Sequence, residues 1–190
     1  MGAAAKKLYI SEADYLAWED RAKEKHEYVA GEIFAMAGAS ERHNLIAGNV
    51  FFHLRQATHK HPCRVFMSDI KLRIVDQRSY YYPDVILVCD DRDNHPIYKT
   101  APCFIAEVLS PSTATIDQRE KWLAYQTIPG LHYYLLVDAE RLYARLLTRE
   151  EGGHWTEQIL DRDDVVTIAC DDLRIQLGLD DFYEDTGLLP

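Results

Sequence analysis

Apolar residues recur with two different periods along the chain, and the changes of period predict its elements. From His43 to Ala57 they return every three to four positions, which predicts an amphipathic helix. Ser11 with Asp14 three residues later is a helix-start signature, and it predicts a helix from about Ser11 to Lys23. Two further helices are predicted at about 117–126 and 180–185.

A period of two predicts strands elsewhere. Glu27–Met36 has the pattern of two short strands around a turn at Ala30-Gly31. Cys103–Leu109 is almost continuously apolar, which is typical of a central strand covered on both faces. The remaining predicted strands are 64–67, 70–75, 82–88, 132–137, 142–147, 155–160 and 165–168. Together these elements predict an α/β (α+β) fold with a central mixed β-sheet flanked by helices.

Length and composition indicate the number of domains and the kind of protein. The chain has 190 residues, of which 47% are hydrophobic and 27% charged, so a single domain over residues 1–190 is expected. No apolar run is long enough for a membrane span, and the N-terminus lacks the apolar stretch of a secretory signal. We therefore expect a cytoplasmic protein without membrane contact. Its four cysteines, widely spread and without a Cys-x-x-Cys pair, are expected to be reduced.

Charge is distributed unevenly. The net charge is −10, and residues 150–190 account for all of it, with twelve acidic and two basic side chains. We expect this acidic segment to pack as a C-terminal extension. Strong non-specific binding to nucleic acid is disfavoured by the total charge, but the neutral first 149 residues leave room for a local basic groove.

The candidate chemistry begins with acidic residues at or within predicted strands. Glu107 lies between apolar neighbours in the most apolar strand, where an unpaired carboxylate is expensive to bury. A strand end where Glu107 reaches water is the alternative. Pro83-Asp84 begins another strand, and Asp117, Lys121 and Tyr125 fall on one face of the following helix. Hard carboxylate ligands of this kind suit Mg²⁺ or Mn²⁺.

The ordered string of these motifs resembles a known family. Pro83-Asp84, then Glu107 in an apolar strand, then Asp117-x-x-x-Lys121-x-x-x-Tyr125 is similar to the Uma-type restriction endonucleases of the PD-(D/E)xK nuclease superfamily. The upstream Glu27-Tyr28-Val29-Ala30-Gly31-Glu32 and His43 match as well, so that the resemblance covers about residues 8–147. It implies a restriction-endonuclease-like fold and a Mg²⁺-dependent (or Mn²⁺-dependent) DNA endonuclease.

One residue departs from the superfamily pattern. The superfamily lysine usually stands two residues after the glutamate, and here that position is Leu109. The resemblance implies that the lysine has moved to the following helix as Lys121. Asp69-Ile70-Lys71 is a rival carboxylate and lysine at strand spacing, although it precedes Pro83-Asp84.

The resemblance also implies a role for each site residue. Asp84, Glu107 and the backbone carbonyl of Val108 would hold the metal, and Lys121 would position or deprotonate the nucleophilic water. Glu27 would be a further acidic member, and His43 would contact phosphate or act in acid–base chemistry. Gln118 is a weaker candidate, and we expect Tyr125 to serve in packing. The same comparison implies DNA as substrate and a homodimer that cuts two strands.

Several other functions compete with this interpretation. A catalytically inactive nuclease-fold protein that binds DNA or a protein partner would explain Leu109 and the net charge. A metal-dependent hydrolase of a small phosphoester is a third hypothesis. The spacing of His53, His59, His61 and Cys63 matches no usual structural zinc site. The chain also lacks the glycine-rich loops that bind nucleotide cofactors, and it lacks a serine-hydrolase elbow.

Overall fold

The computed structural model describes residues 9–110 and 117–189, with the backbone alone at positions 117 and 118. Four α-helices lie in this part of the chain: α1 (Glu12–Glu19), α2 (Glu41–Ala57), α3 (Trp122–Tyr125) and α4 (Leu179–Tyr183). A π-helical turn, Asp117–Lys121, leads directly into α3. None of the helices in these ranges has the length and apolar character needed to cross a membrane.

The strands of the described residues form three sheets. The central sheet contains β3 (Arg64–Met67), β6 (Val85–Val88), β8 (Phe104–Leu109), β9 (Tyr133–Asp138), β10 (Ala144–Arg149) and β11 (Trp155–Leu160). The small sheet contains β1 (His26–Val29), β2 (Glu32–Ala35), β4 (Lys71–Ile74), β5 (Ser79–Tyr81) and β7 (Tyr98–Lys99). A separate hairpin is made by β12 (Val165–Cys170) and β13 (Leu173–Gly178).

Strand order confirms the predicted mixed sheet. The central sheet runs β11-β10-β9-β8-β6-β3, and the small sheet runs β2-β1-β5-β4-β7. In the central sheet β8 and β9 are parallel, while the other neighbouring pairs are antiparallel. A parallel pair needs a long crossover, and the segment that contains Lys121 and α3 provides it. The crossover therefore carries a lysine back over the strand that holds Glu107.

Both faces of β8 are covered, which explains its continuous apolar sequence. Phe104, Ala106 and Val108 pack in one core cluster with α2 and the β12–β13 hairpin. Ile105 and Leu109 pack in a second cluster with α3 and residues of the small sheet. Glu107 lies between Ile105 and Leu109 on the same face of the strand, so its side chain points toward α3.

The two long helices begin as their capping residues require. The Ser11 side chain accepts a hydrogen bond from the Asp14 N–H, and the Ser40 side chain accepts one from the His43 N–H. The second helix therefore begins at Glu41, two residues before the predicted start. The first ends at Glu19, four residues before its predicted end.

The strand predicted at 82–88 is β6, which begins only at Val85. Residues 79–81 form β5 in the small sheet, and the chain then passes to β6 in the central sheet. Pro83 lies at the crossing, where its missing N–H costs no ladder hydrogen bond. Tyr80, Tyr81 and Tyr82 are all buried, so none of them is free to stack on a nucleic-acid base.

The acidic C-terminal segment contributes to the core. Alternate residues of the β12–β13 hairpin pack in the same cluster as α2 and the central sheet: Val166, Ile168, Cys170, Leu173, Ile175 and Leu177. The β13 strand was not predicted, although its apolar and polar residues alternate. The exposed positions between these apolar residues carry polar side chains such as Arg174 and Gln176.

The expectation of reduced cysteines is wrong for this structure, which contains the disulfides Cys63–Cys89 and Cys103–Cys170. Each bond joins residues far apart in sequence, with separations of 26 and 67. Cys63 and Cys89 flank β3 and β6, whose antiparallel register pairs Arg64 with Val88. These two cysteines are close together because the strands pair, and the spacing of cysteines in the sequence does not reveal this pairing.

Burial of tyrosines makes the fold sensitive to alkaline pH. Burial, with the Glu27 carboxylate as the next cause, raises the pKa of Tyr81 from 10.0 to about 12. The unfolded chain loses this proton first, so stability is full below pH 10 and falls between pH 10 and 12. We expect Tyr81 to account for about 2–3 kcal/mol of that loss. Urea unfolding of Tyr81→Phe should show a correspondingly shallower decline across this range, and an unchanged slope would contradict the assignment.

Candidate active site

Two carboxylates meet where β6 and β8 pair. Val85 lies opposite Ala106 in this antiparallel ladder, so the next step places Asp84 opposite Glu107. The Val108 N–H donates a hydrogen bond of 2.7 Å to Asp84 Oδ2. Strand register and this hydrogen bond therefore bring together two acidic residues that are 23 positions apart in the sequence.

His43, a residue of α2, contacts Asp84. It lies in the first turn of α2, and its Nε2 is 3.3 Å from Asp84 Oδ2. Both side chains are 16% exposed, which leaves them within reach of a ligand. The contacts of Asp84 with His43 and Val108 use Oδ2, and neither occupies Oδ1. The Asp84 carboxylate is thus held through Oδ2 by groups from α2 and β8.

Lys121 lies between Glu107 and a third carboxylate, Glu27. Its Nζ lies 2.9 Å from Glu27 Oε1 and 3.5 Å from Glu107 Oε1. The lysine comes from the end of the π-helical turn and Glu27 from β1, so three separate elements converge here. The Lys121 and Glu107 side chains are only 8% and 4% exposed. The charges are therefore held in a partly desolvated environment, where they interact strongly.

Tyr125 forms a hydrogen bond with Glu107. Its hydroxyl donates a hydrogen bond of 2.8 Å to Glu107 Oε1, and it is fully buried. Burial, and next the negative charge of Glu107, keep the pKa of Tyr125 well above its usual value, so the hydroxyl retains its proton. Tyr125 was predicted to serve in packing alone, and that prediction is incomplete. Its position four residues after Lys121 is the sequence signal for this second role.

The charge of the cluster favours a divalent cation. Asp84, Glu107 and Glu27 bring three carboxylates, and Lys121 offsets one of them. The remaining negative charge is held by oxygen donors, which are the ligands that Mg²⁺ and Mn²⁺ prefer. A metal held by Asp84, Glu107 and the Val108 carbonyl therefore fits the residues present.

The rival pair Asp69 and Lys71 lies apart from this cluster. The Asp69 side chain is 81% exposed and forms an ion pair of 2.5 Å with Lys25. Lys71 Nζ lies over the Tyr82 ring, 5.1 Å from its centroid. Burial lowers the pKa of Lys71, and the charged groups that oppose this effect are Glu19 and Asp20. Neither Asp69 nor Lys71 takes the position that Lys121 has between two carboxylates.

The residues of the predicted histidine and cysteine cluster enter separate contacts in the structure. Cys63 is in a disulfide, while His61 Nε2 contacts Asp172 Oδ1 at 3.0 Å. His53 Nε2 lies 3.9 Å from Asp181. The side chain of Gln118 lies outside the described residues.

Comparison with solved structures identifies the fold. The chain superposes with a TM-score of 0.74 on a crystal structure from Anabaena variabilis, described as "a putative nuclease belonging to DUF820". The match covers 92% of this chain and 97% of the other at 16% identity. The protein therefore has the restriction-endonuclease-like fold that its motifs predicted.

Comparison of sequences identifies the family. Residues 12–180 match the Uma2 model, whose description is "Putative restriction endonuclease". The protein belongs to this nuclease-type family. Two uncharacterized proteins of Synechocystis are relatives: slr1290 is 37% identical over 77% of this chain and 77% of its own length. The second, sll1609, is 40% identical over 68% of this chain and 75% of its own length.

The hydroxyl of Tyr125 should contribute to both stability and the site. Tyr125→Phe keeps the packing but removes one donor from the buried Glu107 carboxylate. We expect the free energy of unfolding to fall by about 1–3 kcal/mol in urea titrations without metal. A Tyr125→Phe protein as stable as wild type would show that the hydrogen bond does not support Glu107.

Proposed function

We propose that the protein is a Mg²⁺-dependent DNA endonuclease, with Mn²⁺ as a substitute ion. The observation that carries the proposal is the placement of Lys121 between Glu27 and Glu107, in a strand register that sets Asp84 opposite Glu107. This set of two metal-type carboxylates and a nearby lysine matches the needs of phosphodiester hydrolysis. Membership of the Uma2 family supports the same class of reaction.

In the proposed mechanism Asp84, Glu107 and the Val108 carbonyl hold the ion. When bound, a divalent metal polarises the phosphate and lowers the pKa of a coordinated water. The Val108 N–H and His43 keep the Asp84 carboxylate in place through Oδ2. Outer contacts of this kind commonly orient metal ligands.

Lys121 acts on the nucleophile and on the charge of the transition state. Glu27 and Glu107 hold its ammonium group within the cluster. From there Lys121 orients the attacking water and stabilises negative charge that builds on the phosphate. Glu27 sets the position of the lysine, and His43 is placed to contact a phosphate oxygen. These roles use a lysine from the crossover where the superfamily commonly uses one from the strand.

DNA is the proposed substrate and a homodimer the proposed assembly, since two sites related by symmetry would cut both strands. The neutral first 149 residues contain the whole cluster, whereas the acid-rich residues 150–190 lie in the C-terminal part. A cytoplasmic location agrees with such a substrate and is part of the proposal. Sedimentation of the purified protein tests the dimer.

A plasmid-nicking assay tests the proposed activity. Supercoiled DNA should be converted to nicked and linear forms with Mg²⁺ or Mn²⁺, and cleavage should stop when a chelator removes the ion. An excess of a small phosphodiester should compete poorly with DNA. Strong hydrolysis of the small ester without DNA cleavage would instead favour a phosphoesterase.

A non-catalytic nuclease-fold protein is the second candidate, because Leu109 stands in the usual lysine position and the net charge is −10. In that case DNA or a protein partner would bind without being cut. Gel-shift measurements on the same plasmid fragments distinguish this outcome: binding without nicking under every divalent ion would replace the proposed activity.

A further inference from the structure

The four cysteines converge at one end of the central sheet, away from the proposed active site. Cys63 precedes β3, Cys89 follows β6, Cys103 precedes β8, and Cys170 ends β12. Cys89 Sγ lies 3.9 Å from Cys103 Sγ, so the two disulfides are adjacent. Cys103 directly precedes β8 and lies four residues before Glu107, which separates the two residues by about 13 Å along the extended chain. The sulfur cluster is therefore distinct from the carboxylate site.

The sulfur atoms have nearly the spacing of a metal site. Sγ atoms of Cys89, Cys103 and Cys170 all lie within 4.8 Å of one another. In a tetrahedral zinc site with Zn–S bonds of about 2.3 Å, neighbouring sulfurs are separated by about 3.8 Å. Cys63 is bonded to Cys89 and so stands beside the same group. Once the disulfides are reduced, rotation of the side chains would allow Cys63 to join the other three sulfurs around one ion.

The surroundings of the cluster provide access for a cation. Cys63, Cys103 and Cys170 are buried. Cys89, which is partly exposed, lines the wall of an open pocket together with the small exposed part of Cys103. The carboxylates of Asp91 and Asp171 also line this pocket and add negative charge that favours the approach of a positive ion, whereas Asp90 pairs with Arg92 at 2.8 Å. Arg149 and His132 line the same pocket. Ligands and an entry path are thus both present.

We propose that these four cysteines, when reduced, bind one thiophilic divalent cation, for which Zn²⁺ is the best fit. Reduction of each disulfide takes two electrons and two protons and yields two thiols. A dithiol supplies both and is oxidised to a disulfide, whereas a phosphine supplies the electrons, takes oxygen from water to become a phosphine oxide, and water provides the protons. Binding then releases the thiol protons, because thiolates are the ligands. A compartment that keeps thiols reduced would favour the metal-bound form, and an oxidising one the two disulfides.

The bound ion would preserve the connection that the disulfides make. The Cys103–Cys170 bond joins β8 of the central sheet to β12 of the acidic C-terminal hairpin. Four thiolates on one ion would hold β3, β6, β8 and β12 together in the reduced protein. Zn²⁺ should therefore stabilise the reduced chain more than the oxidised chain, in which the proposed carboxylate site is the one left to bind it.

Co²⁺ absorption is the direct test, since tetrahedral thiolate coordination gives intense visible bands and a sulfur-to-metal charge-transfer band. The full-length protein is reduced with a phosphine, desalted without oxygen and titrated with Co²⁺, then with Zn²⁺. We expect one Co²⁺ per chain with thiolate bands, displacement by Zn²⁺, and no such bands in the oxidised protein. Absence of thiolate bands from the reduced, folded wild type would overturn the proposal.

Variants assign the bands to the cluster. Cys89→Ser/Cys103→Ser leaves two sulfurs and should lose the bands, whereas Asp84→Ala/Glu107→Ala should keep them, because the proposed nuclease site is separate. If the cysteine double variant does not fold, Cys63→Ser serves instead, with an expected loss of at least about tenfold in Co²⁺ affinity. Zn²⁺ should also raise the melting temperature of the reduced wild type. Bands that survive in the folded double variant, or wild-type affinity in Cys63→Ser, would contradict this four-cysteine site.

Discussion

Replacing Lys121 with methionine is expected to lower the rate of Mg²⁺-dependent DNA cleavage by about 10²–10³-fold. Methionine keeps much of the length of the side chain but removes the ammonium group that lies between Glu27 and Glu107. The attacking water then loses its orienting group, and the developing charge on the phosphate loses a cation. Initial rates of plasmid nicking at saturating Mg²⁺ measure this effect.

The structure offers a matched lysine as control. Lys71 is also partly buried, and burial lowers its pKa, but its Nζ lies over the Tyr82 ring. Lys71→Met should retain cleavage within a few-fold of wild type under the same conditions. If Lys71→Met abolishes cutting and Lys121→Met is harmless, the rival Asp69-Ile70-Lys71 motif is the functional one.

The same substitution separates activity from folding. Removing Lys121 takes away a positive charge that lies 3.5 Å from the buried Glu107 carboxylate, and loss of one partner of a buried ion pair costs about 3–5 kcal/mol. Thermal melting shows whether the variant is folded at the assay temperature, and added Mg²⁺ should recover part of the loss by replacing the missing positive charge. Cleavage is therefore compared only at temperatures where both proteins are folded.

The second large effect is expected for Asp84→Asn. The amide keeps the shape of the side chain but removes the negative charge that faces the proposed metal position. Metal affinity should fall by more than about 100-fold, since even outer contacts of a metal site cost 10–100-fold. Cleavage at low Mg²⁺ should disappear, and very high Mg²⁺ should restore part of it.

Asp69 provides the corresponding acidic control. It lies beside a lysine in sequence, as the rival motif requires, but its side chain is largely exposed and pairs with Lys25. Asp69→Asn should leave the Mg²⁺ dependence of nicking unchanged. A loss of metal dependence in Asp69→Asn, with normal behaviour of Asp84→Asn, would move the metal site to the small sheet.

Much of the proposed site follows from local sequence patterns. The apolar run around Glu107 marks a central strand with a costly carboxylate, and the four-residue spacing of Lys121 and Tyr125 marks one helical face. What the sequence does not contain is the strand register that sets Asp84 opposite Glu107. Nor does helical spacing reveal the π-helical turn that ends at Lys121. The convergence of these residues is a tertiary property.

Other features of the fold depend even more on distant contacts. The strand predicted at 82–88 starts late because residues 79–81 pair in the small sheet and residues 85–88 in the central sheet, with Pro83 between them. Tyr125 looks like a core residue from its neighbours alone, and only the position of Glu107 gives its hydroxyl a partner. The disulfides likewise join cysteines from separate strands, so their spacing in the sequence predicted reduced thiols.

Mn²⁺ binding by titration calorimetry is the most direct test of the central claim, because it addresses the carboxylate site before any substrate is chosen. The protein is kept oxidised, so that the cysteines remain in disulfides and do not compete for the ion. We expect wild type to bind Mn²⁺ and to nick plasmid, and Asp84→Ala/Glu107→Ala to do neither while remaining folded. Unchanged Mn²⁺ binding and nicking in the folded double variant would contradict the account.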